Sequence, residues 1–525
     1  MSIIYKENMM DFYGFYTGKE FEAYQYLGAH VWDGGTTFRT FAPAAQRVSV
    51  IGEFNGWTET PMNRVHDGNF WECTINDVGS DLMYKYRIYR QDGSFVDHAD
   101  PYAFYSEMRP GTASKTYALG GYEFGDSKWL KNRKASYDKP VNIYEMHFGS
   151  WKKRGEGQED WYTYEELAPI LIAYLKEHGY NYVEIMPLCE YPCDESWGYQ
   201  DTGYFSPTSR YGKPEELKAF VDQCHQAGIG VILDFVPVHF AVNDYALAEY
   251  DGTALYEVKD PEMAVHPMWG TMLYNYDSPM VMDFLISNAC FWLEVFHVDG
   301  LRMDDVDAML YLDYGRKDGW TPNMYGSNEN LQAIEFLKHL NSILKKRDPG
   351  ALLIAQEDGL WPELTDSVEN DHIGFDYKWS GGWTRDFLFY LSVDPILRKN
   401  YHDQLTLSTL YAYSEHYILT LGSRDVGSLE EFMAKLPGDE KQKLAQVREA
   451  YSYMMVHPGC KMMAPGTDMP EGLAKCIQAL NTLYKSLPAL YQMDDEYDGF
   501  EWVQLMKYEE NVITFLRKTE KPEET

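Results

Sequence analysis

The rhythm of apolar positions along this chain changes once, near residues 135–140. Before that point, short runs rich in aromatic and β-branched residues are punctuated by Gly, Asn and Asp: FRTFAP (38–43), RVSVIGEF (47–54), FWECTI (70–75) and MYKYRIY (83–89). This spacing predicts a small β-sandwich over residues 1–135. After it, near-continuous apolar runs alternate with amphipathic stretches. The runs are VNIYEMHF (141–148), YVEIMPL (182–188), GVILDFVPV (230–238), GLRMDD (300–305), ALLIAQE (351–357), GFDYKW (374–379), HYILTLGS (416–423) and CKMMAPG (460–466). PEELKAFVDQCHQAG (214–228), ENLQAIEFLKHLNSILKKR (329–347) and GLAKCIQALNTLYKSL (472–487) carry the helical period. Strands apolar on both faces, separated by helices, belong in a covered parallel sheet. Eight such units close into a barrel. The predicted fold is therefore α/β: a (β/α)8 barrel over residues 136–490 behind the sandwich. A short β-like segment and a charged, disordered-looking tail follow over 491–525.

The connections at 189–213 and 239–277 are long, and barrel enzymes build their sites from such loops at the carboxyl ends of the strands. The polar residues at those ends are the candidates. The third strand ends in Asp234 and then His239. The fourth carries Arg302 and Asp304, with Asp305 and Asp307 beyond. The fifth ends in Gln356, Glu357 and Asp358, and the seventh is followed by Ser423, Arg424 and Asp425. Two carboxyl groups on neighbouring strand ends suit glycosidic chemistry, in which one attacks the anomeric carbon and the other protonates the leaving oxygen. Arg302 lies two residues before Asp304 and shares its face of the strand. The guanidinium would keep Asp304 ionised as a nucleophile. Glu357 is then the general acid, and must hold a proton. Any one of these residues alone could be a loop cap or an ion-pair partner. Asp305 and Asp307 read as capping or solvated groups, and His239 could be a structural histidine. Four strand ends carrying ionisable groups together point to a site.

Composition narrows the partners. The 525 residues exceed one ordinary core. A net charge of -35 repels nucleic acid and anionic membranes and suits a neutral substrate. Aromatics at 16% mean either large cores or platforms for sugar rings. No run of 18 apolar residues suggests a membrane span, and the start MSIIYKENMMDFYG lacks the pattern of a signal peptide. Seven scattered Cys, with Cys189 and Cys193 lacking further ligands nearby, read as reduced cytoplasmic thiols rather than a zinc site.

At these positions the chain resembles the glycogen (1,4-α-glucan) branching enzymes of glycoside hydrolase family 13, in the α-amylase superfamily. The resemblance is carried by DFVPVHF (234–240), GLRMDDVDAMLYLDYGR (300–316), IAQED (354–358), ESWGYQDTGYFSPTSRYGKPEEL (195–217), DFLISNACFWLEVFHVDGLR (283–302) and LPGDEKQKLAQVREAYSYMMVHPGCK (436–461). VIGEFNGW (50–57) with MYKYRI is similar to the family 48 carbohydrate-binding module. The resemblance implies a covalent intermediate on Asp304, acid/base work by Glu357, and stacking of Tyr199 on the reacting sugar. Asp234, His239 and Arg302 would orient that sugar or the nucleophile. The reaction would cut an α-1,4 bond in a glycogen- or amylose-like α-glucan and form an α-1,6 branch, with no metal or other cofactor. The chain departs from the family at LGSRDVGSL (421–429). Arg424 stands where His is expected, at a sugar-binding position, and Val426 where Glu is expected, with Asp425 as the third carboxylate. IAQED has Gln356 and Asp358 where the family has Glu and Ser, the segment after the eighth strand is altered, and the carboxyl-terminal β-domain is reduced to 491–525. Two alternatives stay open: a catalytically impaired homologue that binds or regulates glucan, and a related α-glucan hydrolase. Oligomeric state is not legible.

Overall fold

The computed structural model describes residues 10–359 and 361–521. Most of the amino-terminal segment read for a signal peptide, and the last residues of the charged tail, lie outside the described residues. Among the described residues, no helix is long and apolar enough to cross a membrane.

Two antiparallel sheets form the amino-terminal part. One runs Gly28–Trp32, Gly35–Phe41, Phe70–Asn76, Asn63–Val65; the other is centred on Arg47–Gly52 paired with Met83–Tyr89. Their facing sides meet through aromatic rings, Phe38 against Tyr84 at 5.1 Å between centroids. The four predicted runs all fall on strands of these sheets.

All eight predicted barrel runs carry a barrel strand. The closed barrel consists, in order, of Asn142–Met146, Tyr182–Ile185, Gly230–Phe235, Gly300–Met303, Leu352–Ala355, Tyr377–Trp379, Tyr417–Leu421 and Cys460–Met463, each parallel to its neighbours. Nearly every residue of these strands is buried, as a sheet covered on both faces requires. Helices surround it: Tyr164–His178, opened by a capping box between Thr163 and Glu166; Pro214–Gln226, with Pro at its first position; and Leu331–Arg347, capped by Asn330 and closing on three basic residues.

Alternation along the strands sorts their side chains. Ile143, Ile232, Leu352, Ile354, Tyr377 and Ile418 belong to one apolar cluster, which only the barrel interior can bring together. Two residues further along the same rows come Glu145, Asp234, Gln356, Trp379 and Thr420. Arg302, two residues on from Gly300, joins this upper layer and faces Asp234 across the strand pair. The upper interior is therefore polar, and it opens at the carboxyl ends.

The sandwich is bonded to the barrel rather than tethered to it. Thr40 Oγ1 and Tyr250 OH are 2.7 Å apart, Ala99 N–H donates to the Tyr245 carbonyl at 2.7 Å, and Ser106 Oγ donates to Ser206 Oγ at 2.9 Å. Tyr102 stacks on Phe205 at 4.9 Å. The chain ends in a hairpin, Phe500–Lys507 with Val512–Arg517.

Candidate active site

Arg302 is the hub of the site. Its Nε donates to Asp234 Oδ1 at 3.0 Å, its Nη2 donates to Asp234 Oδ2 and to Tyr199 OH, the latter at 2.8 Å, and its Nη1 donates to Asp304 Oδ1. Tyr199 OH in turn donates to Asp234 Oδ2 at 2.5 Å. The guanidinium also lies over the Trp379 ring, 4.6 Å from its centroid. A planar fork gripped this way cannot turn, so it fixes the rotamer of Asp304. Burial pushes the Asp304 carboxyl up, and Arg302 opposes that shift. The Asp304 side chain retains 17% exposure, enough to meet a substrate at the barrel mouth. Four predicted residues, Tyr199, Asp234, Arg302 and Asp304, are thus brought together.

Two more acids, Glu145 and Glu184, sit in the interior, and burial raises both carboxyl groups. Glu145 Oε2 accepts the Ser423 N–H at 2.6 Å, and the approach needs glycine at 422, where a Cβ would lie 2.8 Å from the same oxygen. Asp201, two residues past Tyr199, is also buried, with its carboxyl raised first by burial and then by Asp304.

His239 lies beside the cluster. It pairs with Leu273 in a two-stranded ladder, its ring is 5.4 Å from that of His266, and burial lowers its pKa to about 3, so it is neutral. Asp305 is not solvated: Tyr314 OH donates to it at 2.9 Å and His266 Nε2 lies 3.3 Å away. Asp307 is a capping group, accepting the Asp358 N–H at 3.0 Å and the Gly359 N–H at 3.3 Å.

On the fifth strand, Glu357, expected as the acid, does not share the inward row of Leu352 and Ile354. Its side chain is fully buried and forms an ion pair with Lys378, without a well-aligned hydrogen bond. Lys378 alternates with the inward residues Tyr377 and Trp379, so this pair lies on the outer face of the sheet. Asp307 adjoins it, with its carboxyl raised to about 8 by burial and by the neighbouring Glu357 carboxylate. The inward row of this strand continues instead into Gln356, whose Oε1 accepts the Asp305 N–H at 2.9 Å.

The seventh strand behaves similarly. Asp425 bends back to accept the Gly422 N–H at 3.0 Å, closing the short helix Ser423–Val426. Burial raises its carboxyl to about 6. Arg424 is half exposed and pairs with Asp358 at 3.3 Å. Beside these turns lies an open trench of about 1650 Å³, bordered by Glu145, Trp197, Arg424 and the loop 464–470. Trp197 stands 44% exposed there, stacked on His147.

Carbohydrate-binding module 48 (isoamylase N-terminal domain) matches residues 26–103, and the alpha amylase catalytic domain matches residues 171–255. The chain is 43% identical to the 1,4-alpha-glucan branching enzyme GlgB of Marinobacter nauticus, over 98% of its own length and 86% of that protein. It is 42% identical to GlgB of Butyrivibrio fibrisolvens, over 97% and 84%. For GlgB of Halothermothrix orenii the identity is 43%, over 97% and 85%. Among solved structures, apo pullulanase from Paenibacillus barengoltzii superposes with a TM-score of 0.68 at 17% identity, over 91% of this chain and 82% of that one, a likeness of fold.

Proposed function

Because the chain belongs to the 1,4-α-glucan branching enzyme family, we propose that it works on α-1,4 glucan as a retaining chain-transfer enzyme. Asp304 attacks the anomeric carbon and holds the cleaved chain as a glycosyl ester, which a 6-hydroxyl of an acceptor chain then displaces to give an α-1,6 branch. The observation that carries this reading is the grip on Asp304: a partly exposed carboxylate fixed by an Arg302 that Asp234 and Tyr199 also hold. The Tyr199 ring provides a stacking face for the sugar at that carbon. His239 supplies a neutral polar edge, and Arg424 lines the trench. The trench, with Trp197 exposed on its wall, suits a neutral polymer rather than a small ligand. Seven unpaired cysteines support a reducing, cytoplasmic setting.

The test is prolonged incubation with amylose, following iodine absorbance, reducing ends and α-1,6 signals by NMR. Branching gives new α-1,6 signals with few new reducing ends. Reducing ends without branches would replace transfer by hydrolysis. Asp304→Ala should lower turnover by about 10³-fold or more while the fold and glucan binding persist; substantial residual turnover would remove Asp304 from the nucleophile's role.

A further inference from the structure

Cleaving a glucosidic bond at Asp304 has two requirements. The carboxylate oxygen forms a bond to C1, and the electron pair of the C1–O4 bond passes to O4. That oxygen leaves as a neutral hydroxyl only if a proton reaches it at the same time. The position that faces Asp304 from the neighbouring strand should hold that proton. Leu352 and Ile354 point into the barrel, and Gln356 is the next residue of their row. Its backbone N–H bonds the Met303 carbonyl at 3.0 Å and its side-chain Oε1 holds the Asp305 N–H, so the amide is fixed beside the nucleophile's own turn. An amide has no proton to give at any ordinary pH.

Glu357, one residue on, is held on the other side of the sheet. Lys378 pairs with it, and Asp307 adjoins it, anchored on the Asp358 and Gly359 N–H groups. The turn at Gly359 packs close on the pair: a Cβ there would crowd Glu357 Oε1 and lie 3.2 Å from Asp307 Oδ1. Turning Glu357 inward would break a buried ion pair and displace Gln356.

We propose that Gln356 occupies the proton donor's position and that Glu357 is a structural carboxylate. The chain then binds glucan and has its nucleophile in place, but cleaves only slowly any donor whose leaving oxygen must be protonated. This rests on the reading of Asp304 as nucleophile.

The experiment compares amylose with α-maltosyl fluoride, whose fluoride takes the C1–F electron pair and leaves as an anion without a proton. Wild type should use the fluoride at least about 100-fold more efficiently than amylose, in kcat/KM. Gln356→Glu should raise the amylose rate by about 100-fold and give it a bell-shaped pH profile, with little effect on kcat/KM for the fluoride, which reports ester formation alone, before the acceptor hydroxyl gives up its proton. Full wild-type activity on amylose that Glu357→Gln abolishes in a folded protein would overturn the proposal. So would an amylose rate lost in Asp201→Asn, which would make that buried acid the donor. Use of the fluoride with no gain in Gln356→Glu also overturns it, while leaving the nucleophile standing. If neither substrate is used by wild type or by Gln356→Glu, the nucleophile assignment fails together with this one.

Discussion

The ends of barrel strands three and four and the ends of strands five and seven carry the same kinds of groups, carboxylates beside cations, and dispose them oppositely. Asp234, Arg302 and Asp304 converge inside the mouth, each charge answered by another across a few ångströms. Glu357 and Asp425 are drawn into local bonding instead, the first with Lys378 on the outer face, the second with the Gly422 N–H of its own turn. A carboxylate at a strand end is therefore not aimed into the barrel by its place in the sequence alone. What separates the two cases is which side of the sheet the residue's place in the alternation assigns it to, and whether a nearby cation or N–H claims it first.

The contrast can be broken from either side. The largest effect should come from Lys378→Met, which strands a fully buried carboxylate. Loss of one partner from a buried pair costs about 3–5 kcal/mol, so the melting temperature should fall sharply, and Lys378→Met with Glu357→Leu should recover much of it. No change in melting for the single variant would mean that the pair is not buried as described. On the inward side, Arg302→Lys keeps the charge and loses the fork; kcat should drop about 100-fold through misplacement of Asp304, with melting nearly unchanged. An unchanged kcat would show that the guanidinium does not position the nucleophile.

A smaller effect is expected at Asp307. Its folded carboxyl titrates at about 8, above the unfolded value of about 3.9. The protonated form favours the fold, so its contribution is fully present below the unfolded value and is lost as pH rises through about 8. Asp307→Asn, neutral throughout, should thus gain melting temperature relative to wild type between pH 4 and 8. A constant difference across that window would contradict the raised carboxyl. The smallest effect belongs to Arg424→Ala. Its pair with Asp358 is exposed, and such pairs contribute at most about 1 kcal/mol. Turnover should stay within a few-fold, and a collapse would place Arg424 on the substrate.

The barrel was legible because each of its eight strands is an apolar run bounded by polar turns. The same property hid the orientation of the fifth. In ALLIAQE both faces are buried, so no polar–apolar alternation marks which of Gln356 and Glu357 looks inward. The third and fourth strands were clearer because Arg302 and Asp304 share a parity. Glu145, Glu184 and Lys378 were passed over as strand residues, although a charged residue inside an apolar run is itself a signal, since it must find a partner there. Asp425 was located in sequence, but its bend toward Gly422 depends on turn geometry that composition does not carry.

The seam between sandwich and barrel has a thermodynamic consequence. Sequence similarity to carbohydrate-binding module 48 ends at residue 103, yet residues on both sides of that point belong to a single hydrophobic cluster. The two parts should therefore melt as one cooperative unit. A chain cut at that boundary would be neither a free binding module nor a bare barrel. It would be two fragments of one interior, each with the aromatic face that the other had covered now turned to water.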